Sequence, residues 1–418
     1  MAHNAPPDAH ASAPGSTTAP SADPTGSPTS DPNRSPSGSR IPLLDVLRGA
    51  AILGTLMTNV WIFASPGSEW AVVQGGLNLP DPLADPRAST IAEAVFRFLA
   101  DGKFLALLTI LFGVGLAIQY DSAKRRGDPW PGRYPRRAAF LFLEGTVHFV
   151  LIFAWDVLMG YAVTALLVAW LLARSERVRS IALWTAAGLH LTLVGLITLA
   201  TLADPDEGPE APDPDAVALY AHGGWGDQIR FRLDNALVLR IEPVFSFGLL
   251  VFLFLLGVRL HRAGAFAPTD TGRRIRVRMA AWGLGLGLPL GIAADLGGSD
   301  FFALGRYGIA PLVAVGYIGL IGVVLDRFRL PGARSLGAVG RTALSAYVGQ
   351  NLLCALLCYG FGLGLADRLG GTGPWWVMGL WAGVSLTLVL CARLWLARFD
   401  RGPLEALQHL ALSPRRRR

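Results

Sequence analysis

The sequence predicts an all-α, polytopic integral membrane protein of about ten transmembrane helices, with N-terminus and C-terminus cytoplasmic. Three observations carry this reading. Of the 418 residues, 52% are hydrophobic and only 16% charged, against about a quarter charged in an ordinary soluble domain. The apolar residues are gathered into runs long enough to cross hydrocarbon, which takes roughly 20 residues of helix. Arg and Lys are concentrated in every second connection between those runs, the pattern that marks cytoplasmic loops.

Residues 1–40 form a Pro/Ser/Ala-rich tail without a single aromatic side chain. Such a segment cannot bury enough apolar surface to offset its ordering entropy, so disorder is expected, and it lacks the apolar core of a cleaved leader. The membrane domain, 41–400, carries runs at 43–63, 91–119, 137–155, 157–173, 180–202, 239–260, 277–296, 308–325, 338–363 and 374–397. The second run opens as an amphipathic approach, because Glu93, Arg97, Asp101 and Lys103 precede its apolar part. Only Trp155-Asp156 separates the third run from the fourth, which predicts a tight helical hairpin.

Connections after even-numbered runs hold Lys124-Arg125-Arg126, Arg133 and Arg136-Arg137, then Arg174, Arg177 and Arg179, then Arg262 with Arg273 to Arg278, then Arg327, Arg329 and Arg334. A basic tail, 401–418, ends in Arg415 to Arg418. Connections after odd-numbered runs are poor in Lys and Arg, and the one around Asp204 to Asp215 is strongly acidic. The alternation places the even connections and both termini in the cytoplasm, with the first run as an uncleaved insertion signal. The net charge of +7 is explained by this topology. It does not call for nucleic acid as a partner, and the lipid bilayer takes that place. Cys354, Cys358 and Cys391 lie inside apolar runs and read as small buried hydrophobes rather than disulfides or metal ligands. No repeat relates the two halves, which disfavours inverted-repeat transporters.

Charged and polar side chains within such runs usually face protein or a wet cavity. On a helix at 100° per residue, Asp45, Arg48 and Asn59 fall within about 60° of one another. They are either an i,i+3 pair that caps the helix end and aids insertion, or one wall of a substrate cavity. Glu144 and His148 are neighbours at i,i+4, with Arg137 on the same face. His148 lies about 16 Å along the axis from Arg137, near mid-membrane. A carboxylate beside this histidine would fix its tautomer for proton transfer, and the competing reading is a structural hydrogen bond between helices. Asp156, followed by Tyr161, is either a helix cap or a residue of an outer cavity mouth. Glu93, Arg97, Asp101 and Lys103, like Arg240 and Glu242, can neutralise one another at the interface. His190 stands alone on an apolar helix and reads as a buried polar contact. The glycines in Phe112-Gly113-Val114-Gly115 and in Gly283 to Gly291 read as close-packing faces.

Arg40-Ile41-Pro42-Leu43-Leu44-Asp45-Val46-Leu47-Arg48-Gly49 with Asn59 resembles the opening of the YeiB-like bacterial membrane proteins, which carry domain of unknown function 418. Further motifs agree in order: Gly102-Lys103-Phe104; Leu111-Phe112-Gly113-Val114-Gly115; Glu144-Gly145 with His148 and Trp155-Asp156. They continue with Gly340-Arg341-Thr342-Ala343-Leu344-Ser345-Ala346-Tyr347 with Gln350, and Phe399-Asp400-Arg401-Gly402-Pro403-Leu404-Glu405. The resemblance implies a bacterial plasma membrane location and a C-terminal YeiB-like domain over about 240–405.

The start of the first run is also similar to multi-span acyltransferases, whose bacterial envelope-modifying members carry a His eleven residues after the Arg. Here that position is Asn59, which cannot be a general base. This wider resemblance implies acyl transfer from a cytoplasmic thioester to an envelope or small-molecule acceptor, with His148 as base and Glu144 orienting it. Asn59 would donate to the oxyanion or the acceptor, while Asp45 and Arg48 would meet the donor. Lys103, Asp156 and Tyr161 would lie toward the acceptor. No tightly bound cofactor or metal is implied, and acyl-CoA enters as co-substrate. The alternative is a transporter or exporter of a small hydrophobic or anionic compound, with the same buried charges forming its path.

Overall fold

The computed structural model describes residues 41–75, 80–204 and 211–412. The expected tail 1–40, part of the acidic connection and Arg415 to Arg418 lie outside the described residues. Among those described, every regular element is helical. The first half comprises α1 (Pro42–Ala64), α2 (Ala88–Ala100), α3 (Lys103–Arg126), α4 (Tyr134–Leu151), α5 (Leu158–Leu172) and α6 (Glu176–Ala203). Short helices α7 (Pro214–His222), α8 (Trp225–Asp234), α9 (Ala236–Leu239) and α10 (Ile241–Phe245) lead into α11 (Phe247–Arg262). Then come α12 (Asp270–Leu296), a π-helical turn (Leu304–Ile309), α13 (Ala310–Arg327), α14 (Ala333–Arg341), α15 (Ala343–Cys358), α16 (Leu365–Leu369), α17 (Trp375–Leu396) and α18 (Pro403–Leu412).

Among the described residues, six stretches are long and apolar enough to cross a membrane: Pro42–Ala64, Ala88–Arg126, Glu176–Ala203, Asp270–Leu296, Ser299–Arg327 and Trp375–Leu396. Leu158–Leu172 and Ala343–Cys358 are shorter apolar helices. The sides of α6, α12 and α17 turned away from the core carry Leu189, Leu199, Trp282 and Leu394, each more than half exposed. A soluble protein does not present leucine and tryptophan over entire helix faces, so these sides belong against lipid.

Three expected runs are interrupted. The second breaks at Gly102, whose φ of +69° is left-handed and whose missing Cβ leaves room for the backbone of Arg306. The run at 239–260 is divided among α9, α10 and α11, and the run at 338–363 bends between α14 and α15 at Thr342. The expected tight hairpin is present as packed α4 and α5, but its connection spans 152–157 rather than two residues. Cys354 and Cys358 are buried as expected, whereas Cys391 is exposed on the outer side of α17. Its place in an apolar run reported lipid contact, not burial.

Buried α1 lies at the centre, packed against α3, α14, α15 and α17. Glycine permits its closest crossing. A Cβ at Gly340 would overlap the carbonyl oxygen of Asp45, and one at Gly49 would overlap that of Leu336. Gly113 and Gly257 play the same part between α3 and α11, and Gly283 and Gly316 between α12 and α13. Gly115 instead faces open space and lines a pocket, so that part of the small-residue motif makes room rather than contact.

Candidate functional site

Polar side chains from α1, α4, α15 and the α4–α5 connection meet in the core. His148 is 1% exposed, and its Nε2 lies 3.1 Å from the side-chain amide nitrogen of Asn351. The oxygen of that amide accepts a 3.2 Å hydrogen bond from Asn59. On the other side of the ring, Nδ1 makes no hydrogen bond and faces Asp156 Oδ1 at 3.8 Å. The Tyr347 hydroxyl donates to the same carboxylate oxygen at 3.4 Å, and the tyrosine ring packs on the imidazole at 5.3 Å between centroids. A line of Asn59, Asn351, His148, Asp156 and Tyr347 therefore runs through the protein interior. Low dielectric strengthens each bond of such a line and makes each unmade bond expensive. The amide orientation of Asn351 and the tautomer of His148 are coupled, because either Nε2 accepts from the amide nitrogen or Nε2–H donates to the amide oxygen.

Local structure explains the placement. Asp156 Oδ2 accepts from the backbone N–H of Leu158 at 3.0 Å and of Met159 at 3.4 Å, so this carboxylate caps α5 while its other oxygen faces His148. Arg240 donates to the carbonyl of Asp156 at 2.9 Å and holds the connection in place. A Cβ at Gly145 would lie 2.7 Å from Asp156 Oδ2, so the glycine after Glu144 lets the connection fold back onto α4.

Three cavities flank the line. One, of about 310 Å³, is rimmed by Arg48, Arg137 and Arg341 and reaches Tyr347. Its depth is apolar, lined by Ile52, Leu111 and Leu141. On the other side of the line a narrow cavity of about 40 Å³ is lined by Asp156, Tyr161, Thr109 and Arg240. It shares Trp155, Glu242, Arg306 and Tyr307 with a wider one of about 450 Å³, walled also by Trp61, Arg97 and Asp101. Arg48 and Trp61 stand near opposite ends of α1, so the arginine-rimmed and the wider cavity open toward opposite ends of the bundle. The π-helical turn presents Arg306 and Tyr307 to the wider cavity. Arg306 pairs with Asp101 and, at 3.4 Å, with Glu242, which also accepts from the Tyr307 hydroxyl at 2.7 Å.

Of the residues singled out in the sequence, Asn59, His148 and Asp156 come together. Tyr161 shares the narrow cavity with Asp156, its hydroxyl 2.6 Å from that of Thr109. Glu144 does not orient His148. Its carboxylate oxygens are buried without a hydrogen bond, and the carboxylate facing the imidazole is that of Asp156. Asp45 and Arg48 form a 3.1 Å ion pair, but only Arg48 lines the arginine-rimmed cavity, while Asp45 lines a groove elsewhere. Lys103 is buried with its ammonium 4.4 Å from the Phe98 ring centre and 3.3 Å from the Asp101 carbonyl oxygen, away from His148. His190 is a buried contact, 3.2 Å from the carbonyl oxygen of Tyr307.

Sequence reasoning missed Asn351, although an asparagine in the apolar run after Gln350 was a visible signal. It also missed a lock outside the spans. Glu69, after α1, receives two 2.9 Å hydrogen bonds from Arg232 of α8, one from Tyr220 at 3.0 Å and one from Tyr359 at 3.2 Å. Burial opposes the Arg232 charge, but the Glu69 carboxylate more than offsets it and holds the guanidinium above its ordinary pKa. Burial, reinforced by Glu69, raises the Tyr220 phenol as well. Arg232 also donates to the carbonyls of Val150 and Ile152, which anchors the end of the helix that carries His148.

A buried polar line between cavities at opposite ends of an apolar helical bundle defines a membrane-type helical protein with an internal candidate site. The family described as protein of unknown function (DUF418) matches residues 260–413. The chain is 27% identical over 394 residues to the uncharacterized protein YxaH of Bacillus subtilis (strain 168), covering 89% of this chain and 94% of that protein. It is 29% identical over 385 residues to the uncharacterized protein YeiB of Escherichia coli (strain K12), covering 87% and 94%. The chain is thus similar to these YeiB-like proteins over most of its length, and its residues 260–413 match the DUF418 family.

Proposed function

We propose that this YeiB-like protein is an acyltransferase of the bacterial plasma membrane. In this reading the chain crosses the bilayer ten times, α4 and α11 adding to the eight apolar stretches, with both termini cytoplasmic. The basic connections mark the arginine-rimmed cavity as the cytoplasmic one. That cavity suits a donor with an anionic head and an apolar chain, such as acyl-CoA: Arg48, Arg137 and Arg341 would meet phosphate, and the leucine-lined depth would take the acyl group. The acceptor would arrive from the opposite end, through the cavity that shares Trp155 and Arg306 with the one lined by Asp156.

The observation that carries this reading is the His148–Asp156–Tyr347 cluster standing between the two sides, with Tyr347 at the donor cavity and Asp156 at the narrow cavity that adjoins the acceptor cavity. With the Asn351 nitrogen donating to Nε2, Nδ1 carries the imidazole proton toward Asp156, and the Asp156 carboxylate is the open proton acceptor of the pair. The acceptor's hydroxyl or amine proton passes to the Asp156–His148 pair as its oxygen or nitrogen bonds to the thioester carbonyl carbon. The tetrahedral oxyanion collapses, the carbon–sulfur bond breaks, and the thiolate leaves with that proton as thiol. Asn59 acts through Asn351 to hold the imidazole.

Purified protein in nanodiscs, given acetyl-CoA and assayed for thiol release, tests the proposal. Activity should fall by about 10²–10⁴-fold in His148→Ala. Full activity in that variant removes His148 from the reaction. Uptake of an unmodified compound by proteoliposomes, with no thiol release, would assign the same cavities to transport.

A further inference from the structure

We propose that a second site, the groove between α1, α13, α14 and α17, binds the headgroup of an anionic phospholipid. The groove has a volume of about 680 Å³ and is lined by Asp45, Asp326, Arg334, Arg393 and Arg341, the last shared with the arginine-rimmed cavity, among apolar residues that include Leu43, Leu325 and Leu396. Its two acids are already compensated from outside the groove. Asp45 pairs with Arg48 at 3.1 Å, and Asp326 pairs at 2.7 Å with the buried guanidinium of Arg276. The three lining arginines are not compensated: among the described residues none of them forms an ion pair. Arg341 donates only to the carbonyl of Asp400, and its Nε is buried without a partner. The groove is therefore positive although two acids line it beside the three arginines.

Charge alone would accept any anion, so the walls decide the ligand. The leucines of the groove continue at the end of α17 into exposed Leu394, and Trp395 stacks on Phe399 at 4.4 Å between centroids. Exposed aromatics at a helix end sit at headgroup level, and basic pockets between helices on the cytoplasmic side hold anionic headgroups. A ligand that joins a phosphate to acyl chains meets both surfaces at once, whereas free phosphate meets only the arginines. This site rests on the membrane orientation proposed above and not on acyl transfer.

The test uses the full-length protein released from neutral detergent for native mass spectrometry, with phosphatidylglycerol, phosphatidylcholine and inorganic phosphate as probes. Wild-type protein should retain phosphatidylglycerol over phosphatidylcholine, less so as salt is raised. Each arginine is worth about fivefold in affinity, so Arg334→Gln with Arg393→Gln should weaken phosphatidylglycerol about thirtyfold and leave phosphatidylcholine unchanged. Arg334→Lys with Arg393→Lys should keep most of the preference. Equal phosphatidylglycerol retention by wild type and the glutamine variant overturns the proposal. So does full competition by equimolar inorganic phosphate. Should the glutamine variant fail to fold, absence of any phosphatidylglycerol preference in wild type overturns it just as well. Loss of thiol release with lipid binding intact would count against the acyltransferase reading alone.

Discussion

Replacing Arg232 with methionine should be among the most damaging single changes in this protein, even though the residue lies outside every membrane-crossing stretch. The guanidinium is 1% exposed and makes two hydrogen bonds to Glu69, one each to the carbonyls of Val150 and Ile152, and one to Gln228. Methionine fills similar volume but supplies no donor. Glu69 is then left buried with a full charge and only the Tyr220 and Tyr359 hydroxyls beside it, a situation that costs about 3–5 kcal/mol. Each carbonyl orphaned in a dry setting adds about 1 kcal/mol or more. In thermal unfolding in nanodiscs this predicts a midpoint lower by on the order of 10 °C. Glu69→Gln with Arg232→Met should recover a large part of the loss, because the buried charge goes with its partner. A single Arg232→Met variant melting within about 2 °C of wild type would refute the reasoning, since no buried charge could then have been stranded.

Gly340→Ala, which drives a methyl group into the carbonyl of Asp45, should destabilise by about 1–3 kcal/mol or more, whereas Gly379→Ala, with open space around it, should be neutral or stabilising by about 0.5–1 kcal/mol; paired melting curves decide. Glu405 accepts from the Leu344 N–H at 2.8 Å and the Ser345 hydroxyl at 2.6 Å and so caps α15. Glu405→Ala should therefore cost about 1–2 kcal/mol and speed hydrogen exchange at residues 344–346. Asn351→Leu strips the partner from both Asn59 and His148, and should lower thiol release at least about 10²-fold while costing about 2 kcal/mol of stability.

The fold was legible where one physical constraint dominates. Hydrocarbon demands long apolar helices, so α1, α6, α12, α13 and α17 stand out as runs. The interruptions were harder to read because they depend on partners distant in sequence. Gly102 ends a helix partly because Arg306 passes close to it, and nothing local reports that approach. Among site residues, Asn59 and His148 were visible because polarity inside an apolar run is costly and so conspicuous, and Asp156 because it marks the turn between two such runs. Glu144 was misassigned as the orienting group by the i,i+4 rule, which identifies neighbours on one helix and is blind to a carboxylate brought in by a connection.

The motifs that carry the YeiB-like resemblance acquire separate physical reasons once folded, and the reasons differ in kind. Gly49 and Gly340 come from two motifs nearly 300 residues apart yet serve one crossing, α1 against α14, which no side chain beyond hydrogen would permit. The closing motif acts on another: Glu405 caps α15, the helix that presents Tyr347 and Asn351, and Gly402 leaves room for the Glu405 carboxylate. Glu144-Gly145 and Trp155-Asp156 are likewise two halves of one turn, since Gly145 admits the Asp156 carboxylate to the side of α4. Most of these motif residues thus build a frame rather than perform chemistry. His148 differs from them. It is buried, its Nδ1 lacks a hydrogen bond, and no part of the frame needs an imidazole there. A packing role would be met more cheaply by leucine, so an imidazole held by Asn351 on one side and left open toward Asp156 on the other is the feature that calls for a function beyond folding.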